Sequence, residues 1–293
     1  WYCVLIHKKN SIDVSIRPQN STFIKTEDIV RNSGTSFYWA MRCLPEKKRV
    51  AMYGIYAFCR LVDDVADEPG DVADKVKILN QWRKEIDLLY LKKPKHAVTQ
   101  ALLNSVANFD LQKQDFLDII EGMEMDAVEV IRIKNLKELE FYCDKVACAV
   151  GRLAVRVFGV PKELQFDLSF SQGQALQITN ILRDIKEDAL LDRLYIPKDM
   201  IKSCGCESAD IFSMLQHPQF HLVYNELATT ARQRYEEARI LMSKCNKASI
   251  RPARIMLEVY SLVLKKLSED KWTISNIKVK LSKLEIFKII IRI

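Results

Sequence analysis

Two stretches of this chain concentrate oxygen ligands at helical spacing, Asp63-Asp64-Val65-Ala66-Asp67 and Asn180-Ile181-Leu182-Arg183-Asp184-Ile185-Lys186-Glu187-Asp188. At roughly 100° per residue, Tyr56, Arg60, Asp63 and Asp67 fall within an arc of about 60°. Ala51, Ile55, Phe58, Val62, Val65 and Ala66 occupy a broad neighbouring arc. Carboxylates four residues apart on a helix stand about 5–6 Å apart at Cβ and repel each other unless a cation lies between them. Mg²⁺ suits that place, because it takes oxygen ligands and shares its coordination sphere with substrate phosphates. The plain alternative is a solvated acidic face with Arg60 as an ordinary helix ion-pair partner, and taken alone this motif favours it.

The second stretch repeats the four-residue spacing. Gln177, Asn180, Asp184 and Asp188 span about 80° of the wheel. Ile178, Ile181, Leu182 and Ile185 lie beside this stripe rather than around it, so periodicity by itself allows a surface face. Its chemistry weighs against that, since the row offers oxygens without an intervening lysine, yet taken alone this motif too favours the solvated face. The pairing decides more than either motif. Two helices, each with carboxylates at metal-sharing spacing and an arginine alongside (Arg60, Arg183), can hold several Mg²⁺ ions against a diphosphate, with guanidinium forks completing the charge balance. Such a site ionises a carbon–oxygen bond by stabilising the departing diphosphate.

The elements that must carry these rows read as helices. Of 293 residues, 48% are hydrophobic and only 8 are Gly and 8 Pro, which leaves little turn chemistry and favours long helices. Pro45-Glu46 opens a helix over 46–67, and Pro69-Gly70 follows its end. Asp71 is placed to cap a helix over 72–91, which Lys93-Pro94 closes. Further helices are expected over 96–108, 112–130, 135–158, 162–189, 218–244, 248–270 and 277–291, with breaks at Gly159-Val160-Pro161, Leu194-Tyr195-Ile196-Pro197 and Cys204-Gly205. No strand-like alternation competes. The expectation is one all-α domain over 26–293, preceded by a loose N-terminal extension over 1–25.

The net charge of +7 suits a phosphorylated substrate or an anionic surface, and no basic arm interleaved with aromatics points to nucleic acid. The eight cysteines are scattered and the histidines are limited to His7, His96, His217 and His221, which argues against zinc and for free thiols in a reducing cytoplasm. Trp1-Tyr2-Cys3-Val4-Leu5-Ile6 is too short for a signal-peptide core or a membrane span. The segment Ile274–Ile293 alternates Lys or Arg with Ile, Leu and Phe. It reads either as a terminal helix packed on the domain or as an amphipathic helix on the inner face of a membrane.

With these motifs in order, the chain resembles the squalene/phytoene synthase family, the head-to-head branch of the all-α isoprenoid synthases, from about Ser33 to Ile289. Ser36-Phe37 and Leu44-Pro45 look like its first segment, and Tyr56-Ala57-Phe58-Cys59-Arg60-Leu61-Val62-Asp63-Asp64 like its first signature. Tyr142-Cys143-Asp144-Lys145-Val146-Ala147, ending in Gly151, resembles the middle one. Gln174 through Asp188, then Arg193-Leu194-Tyr195-Ile196-Pro197, resembles the last. Within the family the chain is most similar to bacterial presqualene diphosphate synthases of the hopanoid route, on Cys143–Ala147 leading to Val150-Gly151-Arg152-Leu153, on Arg251-Pro252-Ala253-Arg254 and on Val279-Lys280-Leu281-Ser282-Lys283. Cys148 departs from the family's usual Gly or Ser, a small change expected only to trim the cavity wall.

The resemblance implies a single-domain isoprenoid synthase helical bundle around a central cavity. It implies that Asp63, Asp67, Asn180, Asp184 and Asp188 hold Mg²⁺, and that Arg60, Arg183 and nearby Tyr195 contact diphosphate oxygens. Ser36 joins the substrate-binding residues, and Phe37, Tyr56, Tyr142, Val146, Gln177 and Tyr260 would line the prenyl channel, where aromatic faces stabilise an allylic cation. For Tyr142, Val146 and Tyr260 the competing reading is plain helix core. Tyr56, Arg60, Asp63, Asp67, Asp184 and Asp188 are the implied catalytic set. The implied reaction condenses two farnesyl diphosphates to presqualene diphosphate. No glycine-rich nicotinamide fingerprint is present, so NADPH is not expected. The alternatives are a phytoene or dehydrosqualene synthase of carotenoid synthesis, acting on geranylgeranyl diphosphate or rearranging further, and a catalytically silent relative serving assembly. The intact aspartates and Asn180 argue against the silent reading.

Overall fold

The computed structural model describes residues 26–32, 37–42, 44–269, 279 and 281–293. The expected N-terminal extension and Ser36 lie outside the described residues, as do 270, the last residue of the helix expected over 248–270, and 277, 278 and 280 of the helix expected over 277–291. Fourteen α-helices follow one another among the described residues: α1 Thr26–Asn32, α2 Phe37–Arg42, α3 Glu46–Asp67, α4 Val72–Tyr90, α5 Ala97–Asn108, α6 Lys113–Asp126, α7 Leu136–Cys143, α8 Ala149–Phe158, α9 Lys162–Leu190, α10 Lys198–Ser203, α11 Ile211–Leu215, α12 Phe220–Ser243, α13 Lys247–Glu269 and α14 Lys283–Arg292. The fold is all-α, as the scarcity of glycine and the helical spacing imply.

Local chemistry sets the boundaries. Pro45 and Pro161 precede α3 and α9, and Glu68, ahead of Pro69, leaves helical geometry just after Asp67. The Asp71 side chain accepts from the Ala73 N–H and opens α4 as foreseen. Gly159 ends α8 with a left-handed φ of 80°, a conformation that glycine adopts without steric cost.

Helix α9 runs through the middle, with α7, α8, α12 and α13 packed around it. Gly173 permits a close approach of the backbone at Cys148, just ahead of α8, for a Cβ there would stand 2.8 Å from the Cys148 Cα and 2.9 Å from its N.

Three departures from the sequence expectation bear on the site. The helix expected over 112–130 stops at Asp126, and Ile131–Arg132 (β1) pairs in parallel with Arg193–Leu194 (β2). Two residues are too few for alternation to register. The helix expected over 135–158 is interrupted by a π-helical turn at Asp144–Cys148. Arg152 braces that turn, with Nε 2.6 Å from Asp115, Nη2 2.7 Å from Asp118 and Nη1 2.7 Å from Asp144. Lys145 adds a 2.8 Å pair to Asp118. Finally, α10 and α11 occupy ground where no helix is expected.

Candidate active site

The last two turns of α3 carry the first acidic row. Asp63 and Asp64 are buried, while the Asp67 side chain keeps 45% of its surface exposed. Arg60 is less a partner of the stripe than the helical wheel implies. Its Nη2 lies 2.5 Å from Asp64, outside the stripe, and its Nη1 only 3.6 Å from Asp63. Burial raises the Asp64 carboxyl to about 6, against the pull of Arg60.

The second row lies on α9. Gln177, Asn180 and Asp184 are all buried, so this stripe is not the surface face that periodicity allows. The elements packed around α9 cover its polar side as well as its apolar one. Asn180 Nδ2 donates to Gln177 Oε1 at 3.3 Å, while Asn180 Oδ1 is buried with no hydrogen-bond partner among the described residues. Arg183 forks onto Asp184, with Nε to Oδ1 at 2.8 Å and Nη2 to Oδ2 at 2.5 Å. Asp188 is half-buried, and burial together with the nearby charges of Asp184 and Asp126 pushes its carboxyl up to about 8.

Residues from other elements lie between the rows, Arg193 bonded to Asp67 of the first and both Arg193 and Asp126 acting by charge on Asp188 of the second. Arg193, on β2, donates from Nη1 to Asp67 Oδ1 at 3.3 Å and from Nη2 to the Asp126 carbonyl at 3.2 Å. Asp126 closes α6, and its two carboxylate oxygens accept separate bonds, from Tyr195 Oη at 2.7 Å and Tyr142 Oη at 3.0 Å. The two tyrosine rings stack at 4.8 Å with 27° between their planes. Burial raises the Asp126 carboxyl to about 7, opposed by the Tyr195 bond and by Arg193, and burial beside Asp126 lifts the Tyr195 phenol well above its usual range.

Sequence reading overlooked Asp126 and Arg193. Asp126 has Gly122 and Val130 four residues to either side, so the four-residue spacing that marks the two rows does not mark it. Arg193 stands inside the last quoted motif but gains its meaning from Asp67 and Asp126 alone.

The other expected residues are placed as follows. Tyr56, Tyr142, Val146 and Tyr260 are all buried. Val146 sits where a Cβ on Gly122 would approach its Cγ1 to 2.7 Å, and Tyr142 meets Asp126. Phe37 begins α2, and its side chain lies outside the described set. Cys148 does not simply trim a wall. It packs against α9, its thiol donating to the Phe170 carbonyl at 3.5 Å, directly against Gly173.

The donor set fits Mg²⁺ of a particular kind. Among the described residues no three His, Cys, Asp or Glu side chains group closely enough to hold an ion unaided. Mg²⁺ in phosphate sites is held by one or two carboxylates plus substrate oxygens, which is what two separated rows supply. The unpartnered Asn180 Oδ1 and the raised Asp188 carboxyl are the marks of oxygens that a cation would stabilise.

Comparison with known proteins gives the family and the fold. The squalene/phytoene synthase family model matches residues 30–285. The chain is 41% identical over 231 residues to a presqualene diphosphate synthase of Sinorhizobium fredii, covering 79% of this chain and 82% of that one. It is 38% identical over 260 residues to a presqualene diphosphate synthase of Zymomonas mobilis, covering 88% and 89%. The fold matches the crystal structure of a ligand-bound dehydrosqualene synthase with a TM-score of 0.82 at 26% identity, covering 92% of this chain and 94% of that one. The chain belongs to the squalene/phytoene synthase family.

Proposed function

We propose that this protein joins two farnesyl diphosphates head to head to form presqualene diphosphate. The observation that carries the reading is the pair of acidic rows on α3 and α9, with Arg193 bonded to Asp67 of the first and its charge acting on Asp188 of the second. The identity to two presqualene diphosphate synthases narrows the product.

Asp63, Asp67, Asn180, Asp184 and Asp188 are the residues to hold Mg²⁺. The ions would neutralise charge as the donor's C1–O bond breaks and diphosphate departs. Arg60 and Arg183 stand beside the rows to receive diphosphate oxygens. The donor's C1 then bonds to C2 of the acceptor's C2=C3 double bond, leaving the cation at C3. Transfer of a proton from the donor's C1 to the released diphosphate frees the electron pair that forms the C1–C3 bond and closes the cyclopropane. Tyr56, Tyr142, Val146, Gln177 and Tyr260 would enclose the chain and keep water from the cation.

Purified protein given Mg²⁺ and farnesyl or geranylgeranyl diphosphate, with and without NADPH, should yield presqualene diphosphate from the shorter substrate by mass. Phytoene from the longer one, or dehydrosqualene, would favour the second reading, which the likeness to a dehydrosqualene synthase keeps in view. Absence of diphosphate release under every condition would overturn both.

A peripheral place on the inner face of a membrane is part of the same proposal. Among the described residues no helix is long and apolar enough to cross a bilayer. Helix α14 is tied to the domain by Ile289, Ile290 and Ile293, and it exposes Leu284, Phe287 and Ile291 beside Lys283, Lys288 and Arg292. That mix suits an anionic surface. The protein should float with phosphatidylglycerol vesicles and lose that binding on Phe287→Glu. Equal flotation of both would remove the membrane role.

A further inference from the structure

Asp126 is 1% exposed, lies outside both acidic rows, and has its carboxylate wholly engaged by two tyrosines from different elements. Burying a carboxylate is costly unless its oxygens are well bonded. If only packing were at stake, an amide or an apolar side chain would fill the same space at less cost. What a carboxylate alone supplies is direction. Ionised, as it is above a pH of about 7, it accepts and cannot donate, so two hydroxyls that bond it must both turn their hydrogens toward it.

We infer that Asp126 is a positioning residue, which takes the hydroxyl hydrogens of Tyr142 and Tyr195 so that both phenol oxygens face the substrate with lone pairs. This rests on the prenyl-coupling reading. The two rings stack on each other, and Arg193 fixes the backbone beneath them by holding the Asp126 carbonyl and the Asp67 carboxylate together. The pair therefore stands at the seam between the two acidic rows, where the departing diphosphate and the new cation must separate. Oxygen lone pairs favour a neighbouring cation, and an O–H turned toward it does not. Tyr195 is then not a donor to diphosphate oxygens, a role left to the guanidinium groups.

The test is Asp126→Asn, an isosteric change that keeps one acceptor and forces one hydroxyl to turn. With farnesyl diphosphate and Mg²⁺ at about pH 8, where the wild-type carboxyl is ionised, kcat should fall on the order of 100-fold while KM stays within about threefold, since alignment and not binding is lost. Helical circular dichroism should be unchanged. Adding Tyr195→Phe to Asp126→Asn should cost clearly less than Tyr195→Phe costs in the wild type, because the two act as one unit. Retention of kcat within twofold, or losses that multiply, overturns the inference. Should Asp126→Asn not fold, Tyr142→Phe and Tyr195→Phe read the device from the other side. Each should lower kcat about tenfold at constant KM, and an unchanged kcat in both overturns it. Wild-type protein that makes no presqualene diphosphate fails the functional reading itself, whereas an active wild type with an indifferent Asp126 fails only this step.

Discussion

Arg193 and Asp67 meet at 3.3 Å although 126 positions of sequence separate them. The same guanidinium donates to the Asp126 carbonyl, so one planar group ties the ends of α3 and α6 to β2, just past the end of α9. A point charge cannot replace this, because the two acceptors need two fixed donors. Arg193→Lys should therefore lose one of the ties, at about 1.5–3 kcal/mol for a charged hydrogen bond. Thermal unfolding should shift down by roughly 3–10 °C for a chain of this size. An unchanged Tm would show that the bridge carries no stability.

The acidic rows are expected to be indispensable and largely independent of folding. Asp63→Ala and Asp184→Asn should each lower turnover by about a thousandfold or more, the several kcal/mol a metal–diphosphate site supplies. Far-ultraviolet circular dichroism should stay helical. Retained turnover in either variant would take that residue out of the metal site.

Stability should depend on pH through Asp126. Its carboxyl lies at about 7 in the folded protein, raised chiefly by burial from an ordinary value of 3.8, with Tyr142, Tyr195, Arg193, Asp67 and Asp188 as the groups around it. The folded state thus holds a proton that the unfolded chain has released, so this contribution falls as pH rises from about 4 to about 7. Chemical unfolding of ligand-free protein across that range should reveal the decline. Asp126→Asn should flatten it, and an identical slope in the variant would assign the effect elsewhere.

Glycine at 173 is required by space. An added Cβ would stand 2.6 Å from the Cys148 Sγ and within 2.9 Å of its backbone, so the π turn would have to move off α9. Gly173→Ala should cost about 1–3 kcal/mol as an overpacking change. Gly70→Ala is the control, since nothing lies within 4 Å of its added Cβ. Melting temperatures of the two variants decide the matter, and equal values would remove the close-approach argument.

Much of the architecture was legible along the chain because its causes are local. Pro45, Pro161, the Asp71 cap and Gly159 act within a few residues of themselves, so the limits of α3, α4, α8 and α9 could be read closely. The π turn could not, for the three carboxylates that brace Arg152 come from α6 and from the turn itself.

The candidate site divides along the same line. Spacing of four residues places Asp63 with Asp67, and Asn180 with Asp184 and Asp188, on common faces of their helices, and that much belongs to the sequence by itself. Tertiary structure decided everything that depends on a partner from elsewhere. It buried the Gln177–Asp184 face, which periodicity left free to be a surface. It also brought Arg193 to Asp67, and it set Asp126 beneath two stacked tyrosines. The physical reason is range. A helix fixes the direction of its own side chains through backbone hydrogen bonds a few residues long, whereas burial, ion pairing and the raised carboxyls of Asp126 and Asp188 arise only when separate helices exclude water between them.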